Sequence, residues 1–209
     1  MPKDLRVPSA PPRAWRRRHW REVEFAALDF ETTGLDYGKD SVVSFGVVPV
    51  REGRVLVGGS AHRLVVPDVP PSPISMTIHQ ILPQDLAEAS PIEVVREELS
   101  RVLHGKYLLT WYADVEVAFL CRIFGMRAGT WARRTVDVRE MALALGEERD
   151  GGVRFSLSAV AERCGVPVAS PHEALDDALV TAQLFLVLAT RLEGRGFGTA
   201  RSFLGLTRA

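Results

Sequence analysis

Residues 28–36 read Leu28-Asp29-Phe30-Glu31-Thr32-Thr33-Gly34-Leu35-Asp36, LDFETTGLD, and the fold turns on how the two acids in the first half of that stretch are understood. The residues before them, Val23-Glu24-Phe25-Ala26-Ala27-Leu28, are apolar enough for a buried strand. Asp and Glu are depleted in strands and are almost never fully buried without a partner or a metal. Residues i and i+2 of a strand point to one face, so Asp29 and Glu31 project together just ahead of the turn residues Thr33-Gly34. Two like charges that close repel, and a divalent cation between them turns that cost into a gain. Hard oxygen ligands of this kind suit Mg²⁺ or Mn²⁺. A solvated acidic strand end is the plainer alternative, and other acids have to decide between the two.

Outward from this strand the pattern continues with strand-like runs at Ser41–Val50 and Val55–Val66, joined by a hairpin turn at Glu52-Gly53. The segment Pro67–Pro73 breaks it. Ser90-Pro91-Ile92-Glu93 reads as a helix start with an N-cap serine and a proline in the first turn, and Ile92, Val95, Leu99 and Val102 follow at helical spacing. Tyr107–Thr110 and Arg134–Val138 read as strands, each followed by a helix (Val115–Phe124 and Arg139–Leu145). A further helix spans Leu157–Cys164 with Gly165 placed to end it, and Ser170-Pro171-His172-Glu173 repeats the capping signature ahead of a long amphipathic helix to Leu192. Three antiparallel strands, then parallel strands alternating with helices, predict an α/β domain with a mixed sheet flanked by helices. The domain is expected over residues 22–193, with a Pro/Arg-rich arm at 1–21 and a loose Gly/Arg-rich tail at 194–209. Within the arm, Trp15–Arg21 interleaves arginine with aromatics, as a basic surface or a solvated helix turn would.

The 209 residues carry 26 basic and 26 acidic side chains, so no global field draws the protein to nucleic acid or membrane, although a local basic patch suffices for the former. Cys121 and Cys164 are isolated thiols in apolar helical patterns, expected as core residues of a reducing compartment. No stretch approaches the roughly 20 apolar residues that span a bilayer, and the first residues lack the apolar run of a signal peptide. A cytoplasmic protein with no membrane partner is expected.

More acids stand where a metal site would need them. Glu116 opens the helix after the strand Tyr107–Thr110, and Asp176-Asp177 lies in the first turns of the long C-terminal helix. Acids favour a helix's first turn for dipole reasons alone. His172 precedes Asp177 by five residues, about 140° of rotation on a continuous helix, so both reach one site only if His172 leaves the helical path. A histidine at a helix N-terminus is otherwise electrostatically poor, since protonation opposes the dipole.

The ordered set LDFETTGLD, an acid after a strand, and PHEALDDALVTAQLF resembles the DEDDh 3′–5′ exonucleases, most nearly the epsilon-type proofreading exonucleases of bacterial replicases. The similarity runs from Glu22 to Leu192 and includes Ile78-His79-Gln80-Ile81 and Phe155–Pro167. The five-residue spacing from His172 to Asp177 matches the histidine branch of the family. The resemblance implies a ribonuclease H-like fold in which Asp29, Glu31, Glu116 and Asp177 hold two Mg²⁺ or Mn²⁺ ions and His172 is general base toward water. It also implies that Thr32, Thr33, Gly34, Leu35 and His79 line the pocket for a terminal nucleotide. The substrate it implies is the 3′ end of single-stranded DNA, with RNA as the alternative, and the partner a DNA polymerase or another replication or repair protein.

One motif departs. Trp111-Tyr112 stands where the family shows His-Asn, and Glu116 where it shows aspartate. Glutamate keeps the charge with one more methylene. The competing reading is therefore a catalytically impaired module of the same fold that binds nucleic acid or a protein partner, and the direction of the Glu116 carboxylate separates the two. Gln183-Leu184-Phe185-Leu186 loosely resembles a sliding-clamp peptide, but its place in mid-helix favours core packing.

Overall fold

Phe25–Thr32 forms β1, the strand on which the sheet is built; the computed structural model describes residues 7–147 and 155–206. β2 (Val42–Arg51) runs antiparallel to it, with Asp29 opposite Gly46 and Glu31 opposite Ser44. Beyond β2 lie β3 (Arg54–Val55) and β4 (Ala61–Leu64), both antiparallel to β2. On the other side of β1, β5 (Tyr107–Thr110) and β6 (Thr135–Asp137) are parallel, giving the order β3-β2-β1-β5-β6. Two positive-φ residues, Glu52 and Gly53, make the tight turn between β2 and β3.

Strand alternation divides the core in two. Phe25, Ala27, Val48, Val50 and Leu109 face the long helix α7 (Ala174–Glu193) and pack on Phe185 and Leu188. Ala26, Leu28, Phe45, Val47 and Leu108 face α2 (Ile92–Val102), α3 (Ala113–Phe124) and α4 (Ala128–Ala132), where Leu99, Phe119, Leu120 and Trp131 are buried. Leu184 and Phe185, part of the clamp-like stretch, are fully buried, so that stretch is core. The remaining helices are α1 (Pro73–His79), α5 (Val138–Leu145), α6 (Leu157–Arg163) and α8 (Ala200–Leu206).

Several elements differ from the sequence reading. The run Val55–Val66 is two short strands, because Pro49 of β2 has no N–H to offer across the gap; Leu56 N–H caps the Pro49 carbonyl and a 3-10 turn follows at Val57–Gly59. Ser90 does not cap α2 with its side chain; its backbone pairs with Leu64 and Val66, and Pro91 precedes the helix. α1, unforeseen, starts inside the Pro-rich break because Ser72 accepts the Ser75 N–H and Pro73 takes the first turn. The start of α7 does agree with the sequence: the helix begins at Ala174, and His172 leaves its path at φ 66°. Cys121 and Cys164 are free and only half-buried.

The expected arm and tail pack on the domain. Trp20 is 2% exposed and meets Phe185 edge-on, and Phe203 of α8 does so from another side. Large aromatics set among arginines and glycines outweigh the polar look of these segments, since burying one stabilises by about 1.5–3 kcal/mol. Residues 1–6 and 207–209 of the arm and tail lie outside the described residues. Among those described, no helix is long and apolar enough to cross a membrane.

Candidate active site

The site stands at the carboxyl end of β1. Asp29 and Glu31 share the face toward α7, as their spacing requires, and a register shift between Glu31 and Thr32 ends the regular pairing. Ala113–Phe124 brings Glu116 in from the end of β5, and the first turn of α7 brings Asp177. Glu31 is 8% and Glu116 4% exposed. Asp29 keeps a partly accessible surface among them.

The electrostatics are those of four acids held too close. Burial raises the pKa of Asp29 well above the ordinary range, and Glu116, Glu31 and Asp177 raise it further. Burial pushes Glu31 up to about 8, with Asp177 adding to it. Glu116 also rises to about 8, through burial first and then Asp137, Glu31 and Asp114. Asp177 rises through burial, against the opposing bond from the His172 backbone N–H to its Oδ2 at 3.1 Å. The Glu116 Oε2 is buried without a hydrogen-bond partner. A carboxylate oxygen left so is costly unless a cation or proton serves it.

Glu31, His172 and Asp177 each offer a ligand atom within 4.8 Å of the others, the one set of three or more metal-ligating side chains that close among the described residues. Asp29 and Glu116 lie outside that trio yet within strong electrostatic reach of it. His172 is solvent-exposed, and its left-handed backbone is what takes it off the path of α7. The donor set, oxygen-rich with one imidazole on an apolar scaffold, suits a hard divalent cation.

The turn after β1 is pinned from several directions. Thr32 Oγ1 donates to the Gly34 carbonyl at 2.8 Å, and Thr33 Oγ1 to Asp40 Oδ1 at 2.8 Å. Asp40 also accepts the Asp36 N–H at 2.7 Å, so one carboxylate organises the turn. A Cβ on Gly34 would collide with that carboxylate. Leu35 is 73% exposed at the apex. α1 holds the turn from below, with Ser75 Oγ donating to the Thr33 carbonyl at 2.9 Å. His79 is buried at the end of α1; its Nδ1 accepts the Ile81 N–H, which leaves the proton on Nε2, and burial lowers its pKa.

Gly46 was missed in the sequence, and Asp137 does more than cap the helix that follows it. Gly46 sits opposite Asp29, and a Cβ there would overlap the Ala174 carbonyl and the Leu175 amide nitrogen, so glycine lets the start of α7 rest on the sheet and deliver Asp177. A glycine inside a valine-rich strand was the available signal. Asp137 does cap α5 through the Glu140 N–H at 3.2 Å, but it also accepts the Ala113 N–H at 2.9 Å and so ties down the start of α3.

A mixed sheet of this order, flanked by helices and with acids gathered at the end of its central strand, is the ribonuclease H-like fold. Residues 26–185 match the Exonuclease family (RNase T), and the chain belongs to that family. A PolC-type DNA polymerase III of Thermotoga petrophila is 32% identical over 171 residues, which are 80% of this chain but 12% of that protein. E. coli exonuclease I in complex with a dT13 oligonucleotide shares the fold with a TM-score of 0.71 at 18% identity, covering 83% of this chain and 42% of that one. The nuclease domain of 3′hExo, a DEDDh family member bound to rAMP, gives 0.66 at 16% identity, covering 86% and 96%.

Proposed function

We propose that the protein is a metal-dependent 3′–5′ exonuclease that hydrolyses the terminal phosphodiester of single-stranded nucleic acid, DNA in the first instance and RNA as the alternative. The observation that carries this is the convergence of Asp29, Glu31, Glu116 and Asp177, with a buried and partnerless Glu116 Oε2. The longer side chain at position 116 turns inward rather than into solvent, which favours the enzyme over the impaired binding module. These four acids would hold two Mg²⁺ or Mn²⁺ ions, which when bound clamp the attacking and leaving oxygens of an in-line displacement.

The chain's own residues supply the rest. Thr32, Thr33 and Gly34 shape a turn against which a terminal nucleotide lies, and Leu35 is free to pack on its base. His79 closes the floor with a buried Nε2–H. His172, exposed at the rim and held by its backbone bond to Asp177, takes the proton from the attacking water. The similarity to part of a replicative polymerase supports a polymerase or other replication or repair protein as partner, and two free thiols fit a reducing cytoplasm.

The test is digestion of 5′-labelled single-stranded DNA and RNA with Mg²⁺, Mn²⁺ or chelator, beside His172→Ala. A metal-dependent ladder shortening from the 3′ end and lost in the variant is expected, and it ranks the two polymers. A folded protein that cleaves neither polymer with either metal would overturn the enzyme reading in favour of the binding module.

A further inference from the structure

The departure at Trp111-Tyr112 leaves a feature that the catalytic reading does not use. Tyr112 ends the connection from β5 to α3 and is 44% exposed. The Arg139 guanidinium, from the first turn of α5, lies 5.6 Å from its ring centroid and 5.1 Å from that of Phe155. Phe155 in turn meets Trp111 at 5.7 Å. Asp137 fixes the relative placement of the two sides, because its carboxylate binds the N–H of Ala113, next to Tyr112, and that of Glu140, next to Arg139.

This cluster crowns β5 and β6, beside the end of β1 where the acids gather. Tyr37, on the turn that follows Gly34, connects the two: both Tyr112 and Glu116 act electrostatically on its hydroxyl. Arg122 holds the Tyr37 carbonyl at 3.3 Å and that of Asp40 as well, so this rim is braced against α3. A half-exposed aromatic ring with a guanidinium beside it is the chemistry that receives a nucleobase and the phosphate next to it. Tyr112, 44% exposed, stays within reach of a base from solvent.

We propose that Tyr112 and Arg139, backed by Trp111 and Phe155, form a stacking platform for a nucleobase of the single strand upstream of the bond to be cleaved. The proposal rests on the exonuclease reading and gives the replacement of His-Asn by Trp-Tyr a role in gripping substrate. Every base has a π-face, so the platform is tolerant of sequence and of sugar.

The experiment compares an oligothymidylate with the p-nitrophenyl ester of thymidine 5′-monophosphate, which has no upstream base. In Tyr112→Ala the ratio of oligonucleotide to ester kcat/KM falls roughly 5- to 100-fold, chiefly through KM, while Tyr112→Phe keeps the wild-type ratio. An abasic site at the upstream position reproduces the loss in the wild type and adds nothing further in Tyr112→Ala. An unchanged ratio in Tyr112→Ala overturns the platform, as does an equal fall on both substrates. Failure of the wild type to cleave either substrate counts against the exonuclease reading alone. Anisotropy of a fluorescent oligothymidylate then decides the platform, which weaker binding by Tyr112→Ala supports and equal binding overturns.

Discussion

Asp177 and Glu193 stand sixteen residues apart on one helix, α7, and the protein treats their charges in opposite ways. The helix dipole favours an anion in the first turn, where Asp177 lies, and disfavours one in the last, where Glu193 lies, by about 0.3–1 kcal/mol. The pKa shifts run against the dipole. Asp177 is raised through burial, whereas Glu193 is lowered to about 2 by hydrogen bonds from Arg21, Trp20 and His19. Local partners outweigh the dipole at both ends. Glu193 finds its complement within the chain and closes the N-terminal segment onto the domain. The acids around Asp177 find too little complement within the chain, and such a cluster is stabilised only by what binds to it.

The sharpest way to break this contrast is to remove one acid at the N-terminal end. Asp29→Ala or Asp177→Asn is expected to lower cleavage by about a thousandfold or more, several kcal/mol of transition-state stabilisation. The metal-free protein is expected to melt no lower, because a repulsion has been relieved. A variant cleaving at the wild-type rate would remove that acid from the site. Gly46→Ala comes next. Its methyl must displace the start of α7, costing roughly 1–3 kcal/mol of stability, and a displacement of Asp177 by an ångström costs roughly 10²-fold in rate. Full activity with a lowered melting point would show that α7 moves without carrying Asp177 out of place.

These two variants also mark what was legible in the sequence. Asp29, Glu31 and Asp177 were visible because acids at the end of an apolar strand and at the start of a helix need an explanation. The departure of His172 from the helix followed from five residues of spacing, and φ 66° bears it out. Gly46 was hidden because its importance lies in what approaches it from α7, a long-range contact that no local pattern records. The arm and tail were misread for the same reason: Trp20 and Phe203 are buried by Phe185, far from either in the chain. α1 was missed because a proline-rich run reads as a break, although proline starts helices well.

A smaller effect should appear in stability against pH. Glu31 and Glu116 have folded-state pKa values of about 8 against an ordinary 4.5. Their contribution is fully present below pH 4.5, where both are protonated, and is lost as pH rises through about 8. In chelator, wild-type stability should therefore decline over that window more steeply than that of Glu116→Gln. Mg²⁺ or Mn²⁺ binds the ionised acids, so it should raise the melting temperature more at pH 8 than at pH 5. A melting temperature indifferent to both metals at pH 8 would leave the acidic cluster without its proposed occupant.

The smallest effect belongs to the other end of α7. Glu193 is depressed from 4.5 to about 2, so its contribution is fully present above pH 4.5 and fades as pH falls toward 2. Glu193→Gln keeps the shape but loses the charge that His19 and Arg21 face. These groups are more than a third exposed and screened by water, so the loss is modest. It should be visible near neutral pH as a slightly lower melting temperature and vanish in acid, the reverse of the pH dependence at the acidic cluster. The increment of stability from Mg²⁺ and the rate of cleavage should match the wild type, because no part of this clasp reaches the site. A change in either would mean that the two ends of α7 communicate, and the contrast between a charge settled within the chain and one left for a ligand would have to be redrawn as a single coupled system.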